Sequence, residues 1–150
     1  MLFRSAAVIL ASGLSAAFFT LLFEEKLNLT CLFDMLVAFG VTLLAQWVGL
    51  ASRLKNSYQF TVTFVSSFII ALGTLAAVHF SGIGNLNCII IGSIMPLLPG
   101  LSFTNAIRDT VMGDIISGTV RVVETLLIAI GIAGGVGIVL IAYMNMGGVI

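Results

Sequence analysis

The sequence predicts an all-α, polytopic membrane protein of about five transmembrane helices, with a Pro/Gly break in or after the fourth. Three observations predict it. Of the 150 residues, 60% are hydrophobic and 8% are charged, and the mean hydropathy of +1.24 lies outside the range of a water-soluble domain. The apolar residues fall in runs that approach the roughly 20 residues needed to cross hydrocarbon. None of the runs alternates polar and apolar residues as a barrel strand does, and lipid offers no partner to exposed backbone groups, so each run is expected to be helical.

The first span is placed at Ser5 to Phe23. Arg4 before it, with Ser15, Ala16 and Ala17 within it, imitates a secretory signal, but the apolar run continues through Phe18, Phe19, Leu21 and Leu22, so it is read as a retained helix. The second span covers Cys31 to Leu50, the third Tyr58 to Phe80, the fourth Leu86 to Leu101 and the fifth Ile115 to Tyr143. Together they make residues 1–150 a single integral membrane domain. Gly13 with Ala17 in the first helix, and Gly131 with Gly135 and Ala133 with Gly137 in the fifth, are small residues at the spacing of close helix contacts, within the bundle or against a partner.

An odd number of spans puts the termini on opposite sides of the membrane. Arg4, Arg53, Lys55, Arg108 and Arg121 then share one side and Lys26 stands on the other. The positive-inside rule makes the amino terminus cytoplasmic and the carboxyl terminus external, in a cell inner (plasma) membrane.

The fourth span carries the most informative stretch. Leu86 to Gly100 is about 15 residues, or roughly 22 Å of helix, against a hydrocarbon core of about 30 Å. Pro96 and Pro99 lack backbone donors and are expected to leave the carbonyls of Gly92 and Met95 free. A free carbonyl at membrane depth needs a cation, water or a neighbouring chain. Gly100 permits a turn, after which Ser102 or Thr104 is expected to cap a short helix ending near Gly113, whose amino end favours an anion such as a carboxylate.

Ser102, Asn105 and Asp109 share a face of that helix, and Arg108 sits one turn below Thr104. A zwitterionic amino acid suits this arrangement, with its carboxylate at the helix start and its ammonium at a freed carbonyl or at Asp109. The candidate substrate-binding residues are therefore Pro99, Gly100, Ser102, Asn105, Arg108 and Asp109. The competing reading is a proline kink followed by an interfacial helix with Arg108 and Asp109 in water.

In the fifth helix Asp114, Ser117, Gly118, Arg121 and Thr125 recur at helical spacing, and Glu124 lies on the turn after Arg121. Glu124 to Tyr143 already spans roughly 28 Å, which puts Glu124 at the edge of the core, where Arg121 can snorkel to water. Asp114, Arg121 and Glu124 are the candidates for proton coupling or gating, with Glu124 as the proton carrier if the broken segment folds back into the membrane. The alternative is an interfacial Arg121–Glu124 ion pair with Asp114 as a helix cap.

Other chemistry finds no footing. Cys31 and Cys88 form no metal motif and His79 has no second histidine, so no metal and no cofactor is expected. A disulfide between the two cysteines is geometrically conceivable at an external end, and His79 reads as interfacial filler. There is no phosphate-binding glycine loop and no Ser/His/Asp set, so the chain is not read as an enzyme. Zero net charge without a basic cluster argues against nucleic acid as a partner.

The run of Pro99-Gly100, Asn105, Arg108-Asp109, Gly113-Asp114, Ser117-Gly118, Arg121 and Glu124 resembles the threonine/serine exporter family of bacteria and archaea. Leu36-Val37-Ala38-Phe39-Gly40 and the stretch from Asn56 to Phe60 agree more loosely. The resemblance covers that family's first five-helix membrane unit. It implies proton-driven export of small amino acids such as threonine and serine, or, as in some relatives, of small dicarboxylates such as succinate. It also implies that the chain is half of a two-unit transporter, lacking the family's usual soluble amino-terminal segment. The expected partners are a small-molecule substrate, the lipid bilayer, and a companion subunit or a second copy. A second five-helix unit would be inverted, which suits alternating access. A non-transporting structural membrane subunit and a passive channel are the readings from other classes.

Overall fold

A computed structural model describes residues 2–24, 28–53 and 58–147. Lys26, Lys55 and Asn56, and the side chains of Arg4 and Arg53, lie outside the described residues, so the orientation reading rests on Arg108 and Arg121 alone. The described chain is all helical: α1 (Leu2–Phe23), α2 (Leu29–Arg53), α3 (Gln59–Ser81), α4 (Leu86–Ile94), a 3-10 turn (Met95–Leu97), α5 (Gly100–Val111) and α6 (Ile115–Asn145). Four helices are long and apolar enough to cross a membrane, and five spans result if the bent α4–α5 pair counts as one. The fourth span was expected to run to Leu101. It stops at Leu97 and resumes as α5 at Gly100, with a bend of 52°. Proline ends it: Pro96 is tolerated only in the first turn of the 3-10 segment, and Leu98, which precedes Pro99, is driven to an extended conformation (φ −67°, ψ 129°).

α1 packs on α2 and α4, α2 on α3, and α3 on α6, while α5 packs chiefly on α6. Two apolar centres hold the bundle. Ala71, Ile90, Val136 and Val139 meet where α3, α4 and α6 converge. Val41, Ala45 and Ile70 join α2 to α3 and are closed by Ile94 and Leu97. Large apolar residues such as Phe18, Leu36 and Trp47 face outward, as hydrocarbon allows and water does not.

Close approaches depend on glycine at a few crossings. A Cβ on Gly92 would lie 2.6 Å from the Thr20 nitrogen and 2.8 Å from its Cα, so α1 and α4 touch backbone to backbone. A Cβ on Gly135 would come within 2.6 Å of the Phe64 carbonyl on α3. The small residues nominated from sequence therefore divide. Gly13 packs on Phe39 and Leu43, Ala17 is buried, and Gly131 and Gly135 pack on α3, whereas Gly137 meets nothing and Ala133 is exposed.

Phe60 meets Gly131, and Phe64 and Ser67 meet Gly135, so α3 and α6 run parallel. Residues 115–130 of α6 consequently extend beyond the first turn of α3, by about 24 Å at about 1.5 Å per residue. α5 packs antiparallel on that extension, with Thr110 against Gly118 and Gly100 near Thr125. The two form a helical hairpin at one end of the bundle.

Candidate functional site

The hairpin and the break above it contain every site residue nominated from sequence. At the break, the Leu98 N–H donates to the Met95 carbonyl at 3.2 Å and the Gly100 N–H to the Leu98 carbonyl at 2.9 Å. The Met95 carbonyl, expected to be free, is thus engaged, because the chain tightens into a 3-10 turn and recovers the donor that Pro99 lacks. Its second lone pair remains.

The cap expected at Ser102 or Thr104 is also corrected. α5 starts at Gly100 with Pro99 as its capping residue and no side-chain cap bond. Both hydroxyl residues already lie inside the helix, and Thr104 Oγ1 donates back to the carbonyls of Gly100 and Leu101, each at 3.0 Å.

Pro99 and Gly100 line a cavity of about 240 Å³, shared with Leu98 and Phe103 and closed by Thr125, Leu126 and Ala129 of α6. Its wall is almost wholly apolar. Ser102, Asn105 and Arg108 are exposed and do not line it. Asp109 meets Arg121 instead, with Arg121 Nη1 3.0 Å from Asp109 Oδ2. Arg121 was expected to pair, if at all, with Glu124 on its own helix. The antiparallel packing of α5 puts Asp109 across from it, and Glu124 is exposed.

The pair is positioned by backbone. Gly113, at φ +98°, makes the tight turn between α5 and α6. Asp114 caps α6, its Oδ1 accepting from the Ser117 N–H at 3.3 Å. Gly118 lets the two helices touch, since a Cβ there would sit 2.8 Å from the Thr110 nitrogen and 2.9 Å from the Ala106 carbonyl. Ala106 is the buried residue of α5.

Residues 1–143 of this chain match the protein family described as "Putative threonine/serine exporter" (ThrE). The chain belongs to the ThrE family. No curated protein and no solved structure matches it. ThrE proteins are transporters rather than enzymes, and the membrane-length helices agree with a multi-pass membrane protein.

This ThrE chain has a second polar centre, at the opposite end of the bundle, which the sequence reading did not nominate. Asp34 on α2 is completely buried, and its Oδ2 accepts from the Asn85 N–H at 3.0 Å. Glu24, just past the end of α1, lies within hydrogen-bonding reach of the Asp34 carboxyl, and the Cys88 thiol reaches Glu24. Cys88 Sγ also lies 3.3 Å from the Phe23 carbonyl that it donates to. Cys31 and Cys88 are free, buried thiols beside these acids. Burial raises the Glu24 carboxyl above its ordinary range, and the charge of Asp34 raises it further. One signal could have found this centre: Asp34 is the lone acid in the apolar run from Cys31 to Leu50, and an intramembrane carboxylate suggests function by default.

Proposed function

We propose that this chain is a membrane unit of a proton-coupled exporter of small amino acids such as threonine and serine, in the cell inner membrane with the hairpin end cytoplasmic. The match to the ThrE family over residues 1–143 carries the reading. The break supports it with a cavity at a discontinuous helix, the kind of place where transporters bind solutes.

In this reading the substrate carboxylate sits at the amino end of α5, where the first N–H groups have no helical partner. Asp109 lies nine residues further along α5, about 14 Å away at about 1.5 Å per residue, so it cannot reach the ammonium of the same small molecule. The ammonium falls to the remaining lone pairs of the Met95 and Leu98 carbonyls. The apolar wall of Leu126 and Ala129 then favours a short side chain. Asp109 and Arg121 act as a gate: their ion pair ties α5 to α6 on the cytoplasmic side and opens when the hairpin parts. Among the described residues α5 packs chiefly on α6 and its other side chains are largely exposed, so a companion unit or a second copy completes the path.

The test is efflux of preloaded labelled threonine, serine and succinate from cells expressing the chain alone and with its genomic neighbour, with and without an uncoupler. Uncoupler-sensitive efflux of threonine or serine supports the reading, and efflux of succinate alone moves the substrate class to dicarboxylates. Efflux that ignores the uncoupler and follows the solute gradient indicates a channel. No efflux from protein present in the membrane refutes the exporter reading for these solutes.

A further inference from the structure

Among the described residues, five buried side-chain oxygens have no hydrogen-bond partner: Glu24 Oε2, Asp34 Oδ1, and the hydroxyls of Thr42, Thr74 and Ser93. Two belong to carboxyls that lie within hydrogen-bonding reach of each other. Carboxylates are acceptors only, so with both ionised neither carboxyl could donate to the other, and the two charges would repel, one of them on a fully buried side chain. A single proton resolves both faults, because an O–H on one carboxyl donates to the other.

Asp34 is 0% exposed. Among the described residues, Cys31 from α2 and Cys88 from α4 are the titratable groups that face the pair, and no basic side chain pairs with either acid. His79, in the last turn of α3, is exposed, with its ring edge-on to Phe80. Gly84 keeps room for the acid: a Cβ there would stand 2.5 Å from Asp34 Oδ1.

We propose that the Glu24 and Asp34 carboxyls hold one proton between them and are the proton-binding site of this exporter unit. The inference rests on the exporter reading above and deepens it. The site is at the end of the bundle opposite Arg108 and Arg121, the external end if the basic residues face the cytoplasm. A proton driving export enters there. With the proton bound the pair carries one negative charge and bridges α1's end to α2, while Asp34 holds α4 through Asn85. When the proton leaves inward, two charges repel and that junction loosens.

The remaining orphan hydroxyls lie along the way inward. Thr42 follows Asp34 and Ala38 at four-residue intervals on the same face of α2, about 12 Å deeper at about 1.5 Å per residue. Thr42, Thr74 and Ser93 are each 0% exposed, on three helices that pack together. A hydroxyl both accepts and donates, so they can relay a proton or hold water between the pair and the helix break.

Infrared difference spectroscopy of the purified full chain in lipid nanodiscs tests proton sharing without transport. The expected result is a carboxylic-acid carbonyl band that persists at pH 7 and is lost in Asp34→Asn and in Glu24→Gln, each shown by gel filtration to be folded. No such band in the parent chain, or a band unchanged in both variants, overturns the shared proton. Transport then tests coupling in cells where the parent chain exports. Asp34→Asn and Glu24→Gln should lose the uncoupler-sensitive component of efflux while retaining exchange of labelled for unlabelled solute, because a neutral amide mimics the loaded state. Uncoupler-sensitive efflux retained in both, but lost in Glu124→Gln, overturns the assignment and leaves the exporter reading intact. Absence of efflux in the parent chain defeats the exporter reading instead, and the infrared band still decides whether the proton is shared.

Discussion

Replacing Gly92 by alanine separates helix contact from helix propensity. The added Cβ would stand 2.6 Å from the Thr20 nitrogen and 2.8 Å from Thr20 Cα, both main-chain atoms that no rotamer change can move. Ordinary carbon contacts begin near 3.5 Å, so α1 and α4 must part by roughly 1 Å at this crossing. Overpacking of this kind costs about 1–3 kcal/mol. Gly137→Ala is the matched control, because it meets nothing within 4 Å and gains the same propensity of about 1 kcal/mol over glycine. The difference between the two variants therefore isolates the clash. For a chain of this size it corresponds to a melting midpoint lower by roughly 2–12 °C in Gly92→Ala than in Gly137→Ala. Thermal unfolding in detergent, followed by helical circular dichroism, measures it. Equal midpoints would refute the backbone contact between α1 and α4.

Asp109→Asn should change stability by no more than about 1 kcal/mol, since the pair is partly open to solvent, yet reduce export. The exchange Asp109→Arg with Arg121→Asp should restore export, measured by efflux. Gly113→Ala forces a side chain into a positive-φ conformation and should cost about 1–3 kcal/mol by thermal unfolding. Glu24→Gln should raise the melting midpoint at neutral pH, because burial and then the Asp34 charge raise the Glu24 carboxyl above 4.5. An acid with a raised folded-state value favours folding below its unfolded value, and that contribution is lost as pH rises through the folded one. The advantage of the glutamine variant should accordingly shrink as the pH falls toward 4.5.

Hydropathy and proline act locally, and what they control was legible in sequence. The helical spans, their approximate limits and the interruption at Pro96 and Pro99 follow from the length of each apolar run and from the missing donors. The Asp114 cap was legible for the same reason, since it bonds three residues ahead. The end of the fourth span was misplaced, because a 3-10 turn repairs part of the break and lets α5 begin before its first hydroxyl residue. The glycine faces were recognised by spacing, but spacing gives a face and not the neighbour it meets. Only packing distinguishes Gly135, against α3, from Gly137, which meets nothing.

The charged residues show the limit most clearly. Arg121 and Glu124 are neighbours along one helix, and sequence offered that pairing. The hairpin, set by Gly113 and Gly118, gives Arg121 to Asp109 instead. Glu24, Asp34 and Asn85 come from three separate segments of the chain. By itself the sequence determined that this protein spans a membrane as helices, and that its fourth span breaks, because transfer to lipid and backbone donor supply are properties of a segment. Which acids meet, which are buried and which oxygens lack a partner was decided by the tertiary structure, because each depends on groups that only packing brings together.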